Sequence, residues 1–206
     1  MLEYIREKYH PLGLIVYGSF ADGSNNQNSD FDALAITADG SFTHDRSVIQ
    51  NTELDLFVYP RSAFEGPYDR THYAQVWDGR ILLDTDGVAS ALKNAVNQYL
   101  EAIPPKTEEE NRQNLLWCRK MLLRARREDM EGYFRQHWLL VDSLEIYSDL
   151  RKIPYRGPKR SLRHMEATDR ESAALYRNAL ESFRLEAAQK WIDHLWNIFQ
   201  CGTQTA

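Results

Sequence analysis

The stretch VYGSFADGSNNQNSDFDALAI, residues 16–36, decides the fold. It begins at the end of the apolar run Leu12–Tyr17, whose β-branched residues are typical of a buried strand. Gly18 and Ser19 then open a short helical turn, and a polar, Asn-rich loop leads to the alternating run Phe31–Thr37. The stretch therefore predicts two β-strands joined by a Gly-Ser turn and a polar loop.

Acidic residues mark the start of the second predicted strand. Asp30 and Asp32 stand two residues apart, which places both carboxylates on one face of a strand. A third strand is predicted over Glu53–Tyr59, from which Asp55 can face the first two acids, with Glu53 as its rival on the same face. Hard divalent cations need oxygen ligands, and carboxylates in this arrangement can bridge two of them at about 3.5–4 Å. The pattern predicts a metal site at Asp30, Asp32 and Asp55.

The composition is typical of a globular protein, and the first half of the chain is acidic. The 206 residues are 43% hydrophobic and carry a formal net charge of −5. Residues 1–100 contain seven Lys and Arg against fourteen Asp and Glu. A long nucleic acid usually meets a basic face, so this half favours metal ions or a cationic substrate and argues against a long nucleic acid as partner. The absence of a long apolar stretch argues against a membrane partner, and we expect a cytoplasmic protein.

The chain changes character near residue 104. Before this point we predict a helix over Leu2–Tyr9, a strand over Arg80–Asp84, and a helix over Val88–Ala102 that starts at Asp86-Gly87. Pro104-Pro105 is a stiff break, and Thr107-Glu-Glu-Glu110 has the spacing of a capping box.

Beyond this break the sequence favours helices throughout. Leu, Glu, Arg, Ala and Gln dominate, with one interruption at residues 152–160 and a last helical stretch from Glu171 to Phe199. We therefore predict an α+β fold class, with a small mixed-sheet domain over residues 1–103 and an all-helical bundle over residues 107–201. Within the bundle we expect the aromatic residues at near-helical spacing to lie mostly in the core, or one or two of them to wall a ligand pocket: Trp117, Tyr133, Phe134 and Trp138.

The Gly-Ser turn with its acids resembles the signature of the DNA polymerase β-like nucleotidyltransferase superfamily. In that signature an apolar residue and Gly-Ser precede a paired-acid strand, and a third acid follows on a later strand. The resemblance covers the first half of the chain, and the second half resembles more loosely the substrate-binding bundle of aminoglycoside and lincosamide-type antibiotic nucleotidyltransferases. The matching residues are Tyr17, Gly18, Ser19, Asp30, Asp32 and Asp55.

The resemblance implies a role for each matching residue. Asp30 and Asp32 would hold Mg²⁺, two ions in the family pattern, and Asp55 would complete one metal shell and act as general base. Gly18 would let the backbone approach the phosphates of ATP or another nucleoside triphosphate. Ser19 would bind them at a helix start, where free N–H groups favour anions.

Three further residues qualify this assignment. Asp22 stands where many family members carry a basic residue, so another cation must serve the phosphates. Lys159, in the basic loop of residues 155–160 with Arg163 nearby in sequence, is the first candidate, and a solvated loop is the alternative. Glu145 is the alternative general base if Asp55 is structural.

The sequence leads to three hypotheses about function. The first is Mg²⁺-dependent transfer of a nucleoside monophosphate, AMP from ATP, to a hydroxyl of a small molecule such as an aminoglycoside-like antibiotic, with release of pyrophosphate. The second is a minimal nucleotidyltransferase that AMPylates the protein partner of a toxin–antitoxin pair. The third is a non-catalytic nucleotide-binding module. The acceptor, the nucleotide base and the oligomeric state, with a homodimer as one option, stay open.

Overall fold

Six β-strands and three α-helices form the first of two units, Met1–Pro104, in the computed structural model, which describes residues 1–203. The strands are β1 (Gly13–Val16), β2 (Phe31–Thr37), β3 (Thr43–Asp45), β4 (Val48–Ile49), β5 (Thr52–Pro60) and β6 (Arg80–Asp84). The helices are α1 (Leu2–Tyr9), α2 (Ser19–Asp22) and α3 (Val88–Glu101). Short 3₁₀ segments lie at Arg61–Phe64, Arg70–Val76 and Thr85–Gly87.

The strands form a mixed sheet in the order β3–β5–β2–β1–β6, with β4 paired to β5. The central strands β2 and β5 are parallel, and the other pairs are antiparallel. The four strands expected from the sequence are confirmed, whereas β3 and β4 were not predicted. Both missed strands are too short to show a hydrophobic period.

Each face of the sheet has its own hydrophobic core. Along β2, Ala33 and Ala35 point to the core that includes Ile5 of α1. Leu34 and Ile36 point to the opposite core, which α3 closes with side chains such as Leu92. Alternation along the strand therefore divides the apolar residues between two cores, so this unit has three layers, with the mixed sheet between helices.

Helix α3 starts where the sequence predicts, with Gly87 as the residue before its first turn. Its capping hydrogen bonds come from an earlier residue, Asp84, whose Oδ1 accepts from the backbone N–H groups of Ala89 at 2.7 Å and Ser90 at 3.2 Å. The last residue of β6 therefore satisfies the first turn of α3.

The second unit begins at Pro105 and is helical. Its helices are α4 (Glu108–Ala125), α5 (Met130–Leu150), α6 (Pro158–Thr168), α7 (Arg170–Ser182) and α8 (Leu185–Thr203). The capping box of Thr107 and Glu110 is present at the start of α4. The fold is thus α+β, as the sequence predicted.

One expectation about the helical unit was wrong. The interruption at residues 152–160 is shorter than predicted, because α6 begins at Pro158, a residue that suits the first turn of a helix. The last helical stretch, predicted from Glu171 to Phe199, consists of two helices, because Phe183 adopts a left-handed conformation with φ 49° and ends α7.

The core of the helical unit is centred on Trp191 of α8, which is fully buried. Its indole N–H donates a hydrogen bond of 2.9 Å to Ser143 Oγ on α5. Cys118 is buried, Cys201 is exposed, and the two do not form a disulfide. Among the helices of residues 1–203, none combines the length and the apolar character needed to cross a membrane.

Candidate active site

Three aspartates converge where β2 and β5 run side by side. Asp30 immediately precedes β2, Asp32 is its second residue, and Asp55 on β5 is the register partner of Asp32. Each offers one carboxylate oxygen, and the three oxygens lie within 4.8 Å of one another. Asp30 is exposed and the other two are half-buried. Oxygen atoms gathered in this way form a ligand set that suits a hard divalent cation.

The Gly18 backbone lies directly against this acid cluster. Gly18 has φ 66° and ψ −150°, a conformation that L side chains rarely adopt. A Cβ atom at this position would stand 2.1 Å from Asp32 Oδ2. Only glycine therefore allows the turn after β1 to pass beside Asp32, which gives the Gly-Ser signature a physical reason in this chain.

Tyr17 lies buried beside the acids. Burial, followed by the negative charges of Asp55 and Asp32, raises the pKa of the Tyr17 phenol well above its ordinary value of 10.0. The phenol stays neutral and its O–H donates to the carbonyl of Ala33 at 3.5 Å. Three carboxylates gathered at one place create a negative potential when they are ionised, which favours a cation.

Ser19 opens α2 and is buried. Because α2 has four residues, it is a single turn, and a phosphate would be met by its backbone N–H groups rather than by a long helix dipole. Asp22 ends this turn and accepts a hydrogen bond of 2.9 Å from the backbone N–H of Ser24. Asp22 thus shapes the polar loop that leads to Asp30.

The rival acid on β5 has a different partner. Glu53 lies on the same face of β5 as Asp55 but is exposed, and Arg46 Nε donates a hydrogen bond to it at 3.0 Å. This ion pair joins Arg46, in the turn between β3 and β4, to Glu53 on β5. Of the two acids, Asp55 belongs to the cluster, whereas Glu53 pairs with Arg46.

Sequence reasoning missed His44. This residue lies on β3, and its Nε2 is 2.5 Å from Asp55 Oδ1. Its ring stacks on Phe57, its register partner on β5, with a centroid distance of 4.3 Å and an interplanar angle of 8°. Strand β3 contains three residues, so the sequence offers no period from which this neighbour of Asp55 could be inferred.

Lys159 and Glu145 belong to the helical unit. Lys159 is exposed in the first turn of α6, not in a loop as the sequence suggested. Glu145 lies on α5, where its carboxylate is 3.6 Å from Lys106 Nζ, and Lys106 also donates a hydrogen bond of 2.7 Å to Asp149. Glu145 is therefore one member of a surface ion-pair cluster within this unit.

The aromatic residues of α5 are not core residues, which corrects the main expectation for them. Tyr133 is 52%, Phe134 61% and Trp138 41% exposed. The Trp138 ring forms a T-shaped pair with Trp117 of α4, at a centroid distance of 6.0 Å. Helix α5 turns a different stripe, including Leu139, towards the core. Its aromatic side chains consequently remain on the surface.

Comparison with known proteins identifies the class to which this site belongs. The family model of the nucleotidyltransferase domain matches residues 1–110, more than half of the chain. The chain therefore belongs to the nucleotidyltransferase domain family and is a transferase. The matched residues contain the acid cluster and the Gly-Ser turn.

Individual relatives add little to this assignment. One similar solved structure is the crystal structure of a nucleotidyltransferase-like protein from Exiguobacterium sibiricum, with 16% sequence identity and a TM-score of 0.40. The match covers 97% of this chain and 72% of the Exiguobacterium chain. Similarity at this level carries no argument about substrate. No curated protein matches the chain.

Proposed function

We propose that this protein transfers a nucleoside monophosphate, AMP from ATP, to a hydroxyl of a small molecule such as an aminoglycoside-like antibiotic, and releases pyrophosphate. The observation that carries the proposal is the convergence of Asp30, Asp32 and Asp55 within 4.8 Å, inside a chain segment that matches the nucleotidyltransferase domain. The acidic first half favours a cationic acceptor, and it disfavours a long nucleic acid.

The three carboxylates and the Gly-Ser turn have different roles in this proposal. Asp30, Asp32 and Asp55 would hold Mg²⁺, two ions in the family pattern, which when bound supply Lewis-acid charge stabilisation at the phosphates. Gly18 and Ser19 would contact the outer phosphates through backbone N–H groups. Lys159 is our candidate for the basic residue that serves the nucleotide, a role that Asp22 cannot take because it is acidic.

The reaction we propose is an in-line displacement at the α-phosphorus. The acceptor oxygen forms a bond to this phosphorus while the bond to the oxygen that bridges to the β-phosphorus breaks, so pyrophosphate leaves. Asp55 takes the proton of the acceptor hydroxyl as general base. This role suits Asp55 because it is half-buried and is a partner of Asp32 in the sheet.

Incubation of the purified protein with Mg²⁺ and ATP labelled at the α-phosphate tests this function. A panel of aminoglycosides and lincosamides supplies acceptors, and parallel reactions with ATP labelled at the γ-phosphate distinguish nucleotidyl from phosphoryl transfer. We expect α-label, and no γ-label, on an acceptor. Transfer of γ-label, or no labelled product together with no metal-dependent ATP binding, contradicts the proposal.

A protein acceptor is the second candidate, and one observation favours it. Exposed apolar side chains, including Met130 at 88% and Phe134 at 61%, extend along α5. Contiguous apolar surface of this kind often marks contact with another protein. If a co-purifying protein acquires α-label from ATP and the small molecules do not, the acceptor is a protein.

A further inference from the structure

We propose that His44 is a positioning residue for Asp55: it donates a hydrogen bond that fixes the orientation of the carboxylate within the acid cluster. The inference rests on the proposed function, in which Asp55 is a metal ligand. It begins with the 2.5 Å distance between His44 Nε2 and Asp55 Oδ1. A ligating carboxylate is ionised and only accepts hydrogen bonds, so Nε2 must carry the hydrogen.

The His44 ring is held flat by its neighbour. Phe57 stands opposite His44 in the pairing of β3 with β5, and the two rings are stacked within 8° of parallel. Phe57 is two residues after Asp55, so both side chains leave the same face of β5. The stacked ring can therefore direct its Nε2 edge at the carboxylate with little freedom to turn away.

The strand that carries His44 is anchored from its other side. The next residue, Asp45, is 6% exposed, and its carboxylate ties β3 to α1 and to the β3–β4 turn. Its hydrogen-bond donors are Tyr9 Oη at 2.6 Å, Lys8 Nζ at 2.9 Å, Tyr4 Oη at 3.0 Å, and Ser47 through Oγ at 2.6 Å and N at 2.9 Å. A three-residue edge strand would be held weakly without such bonds, so this network keeps the backbone of His44 in place.

A hydrogen bond to one carboxylate oxygen restricts rotation of the whole group. It therefore orients both Asp55 oxygens relative to Asp30 and Asp32, the other members of the cluster. Partners of this type, which bind a metal ligand rather than the metal, commonly change metal affinity or activity by about 10- to 100-fold when they are removed. We expect an effect of this size from loss of the His44 donor.

Mn²⁺ binding to the full chain, measured by titration calorimetry, tests the inference. His44→Phe keeps a ring that can stack on Phe57 but removes the donor, whereas His44→Gln restores an N–H group near the position of Nε2. His72→Phe is the matched control, because His72 is an exposed histidine of the same unit. We expect His44→Phe to weaken Mn²⁺ binding by about 10- to 100-fold, His44→Gln to recover most of the affinity, and His72→Phe to bind like the wild type.

The outcomes separate this inference from the function on which it rests. If Asp55→Asn loses Mn²⁺ affinity while His44→Phe binds like the wild type, the positioning role is wrong and the metal site stands. If both His44 variants lose affinity equally, the donor is not what matters and the inference is overturned. If Asp55→Asn and the wild type bind Mn²⁺ alike, both the metal site and the inference fail. Circular dichroism of each variant verifies that it is folded.

Discussion

Asp32 and Asp55 are register partners on the parallel strands β2 and β5, so their carboxylates leave the same face of the sheet side by side. Two negative charges in such a position repel each other unless a cation lies between them. Pairing of β2 with β5 therefore brings together two of the three acids of the candidate site, and Asp30, just before β2, is the third.

Asp55 and Glu53 are expected to differ sharply in function. Both lie on the same face of β5, but Asp55 belongs to the acid cluster and Glu53 pairs with Arg46. Asp55→Asn should lower kcat by about 10²- to 10⁴-fold, the usual contribution of a general base. Glu53→Gln, the matched control, should leave kcat within a few fold of the wild type. Steady-state kinetics of nucleotidyl transfer test this, and an equal loss in both variants contradicts the assignment of Asp55.

Gly18 should tolerate no side chain. Gly18→Ala places a Cβ atom on Asp32 Oδ2 and forces alanine into an unfavourable backbone conformation, which alone costs about 1–3 kcal/mol. Gly23→Ala is a suitable control, since Gly23 also has a positive φ, 76°, but has open space where the Cβ would lie. We expect urea denaturation to show both variants destabilised, and Mn²⁺ titration to show weakened binding for Gly18→Ala alone. Equal Mn²⁺ affinities would mean that Gly18 does not shape the acid cluster.

The cap of α3 should depend on Asp84. Asp84→Ala removes the acceptor of two backbone N–H groups and should lower the free energy of unfolding by about 0.5–2 kcal/mol. Asp86→Asn serves as control, because Asn tolerates the φ of 57° at this position. We expect this control to change the free energy of unfolding by less than about 0.5 kcal/mol. Chemical denaturation of both variants measures the difference, and the opposite ranking would mean that Asp86 rather than Asp84 caps α3.

Asp45 should make the first unit sensitive to acid. Burial opposes ionisation of Asp45, but hydrogen bonds from Ser47, Tyr9 and Lys8 outweigh it and hold the pKa of this carboxyl well below its ordinary value of 3.8. A group whose pKa is lower in the folded state stabilises the fold above its unfolded pKa, and this contribution is lost as the pH falls below that value.

The stability deficit of Asp45→Asn relative to the wild type should therefore be largest near neutral pH and should shrink between about pH 5 and pH 3. Thermal or urea unfolding across this range measures it. Asp39→Asn, at an exposed acid after β2, is the control and should show little deficit at any pH. A deficit for Asp45→Asn that does not change with pH would show that its charge is not what stabilises β3.

The elements that could be predicted from the sequence are determined by residues close to one another in the chain. Strand β2 is a short, mostly apolar run of the kind that is buried on both faces, and the capping box of Thr107 and Glu110 is a four-residue signal. The approach of Asp55 to Asp30 and Asp32 could be expected because the strands that carry them were recognisable, and the structure brings these three side chains together.

The parts that could not be predicted depend on tertiary contacts. His44 contacts Asp55 from β3, a strand of only three residues. This strand forms because it pairs with β5 and because Asp45 is hydrogen-bonded to α1. The exposure of Phe134 on α5 is set by which stripe of that helix the other helices cover. The left-handed Phe183 that separates α7 from α8 is a residue type from which such a turn is not expected.

The central claim, that Asp30, Asp32 and Asp55 hold the metal used in nucleotidyl transfer, is tested most directly by anomalous diffraction. Crystals soaked with Mn²⁺ and a non-hydrolysable ATP analogue should show an anomalous peak in contact with carboxylate oxygens of all three aspartates, with the analogue's phosphates beside it. An anomalous peak and bound analogue at some other place in the molecule, with none at the three aspartates, would contradict the account.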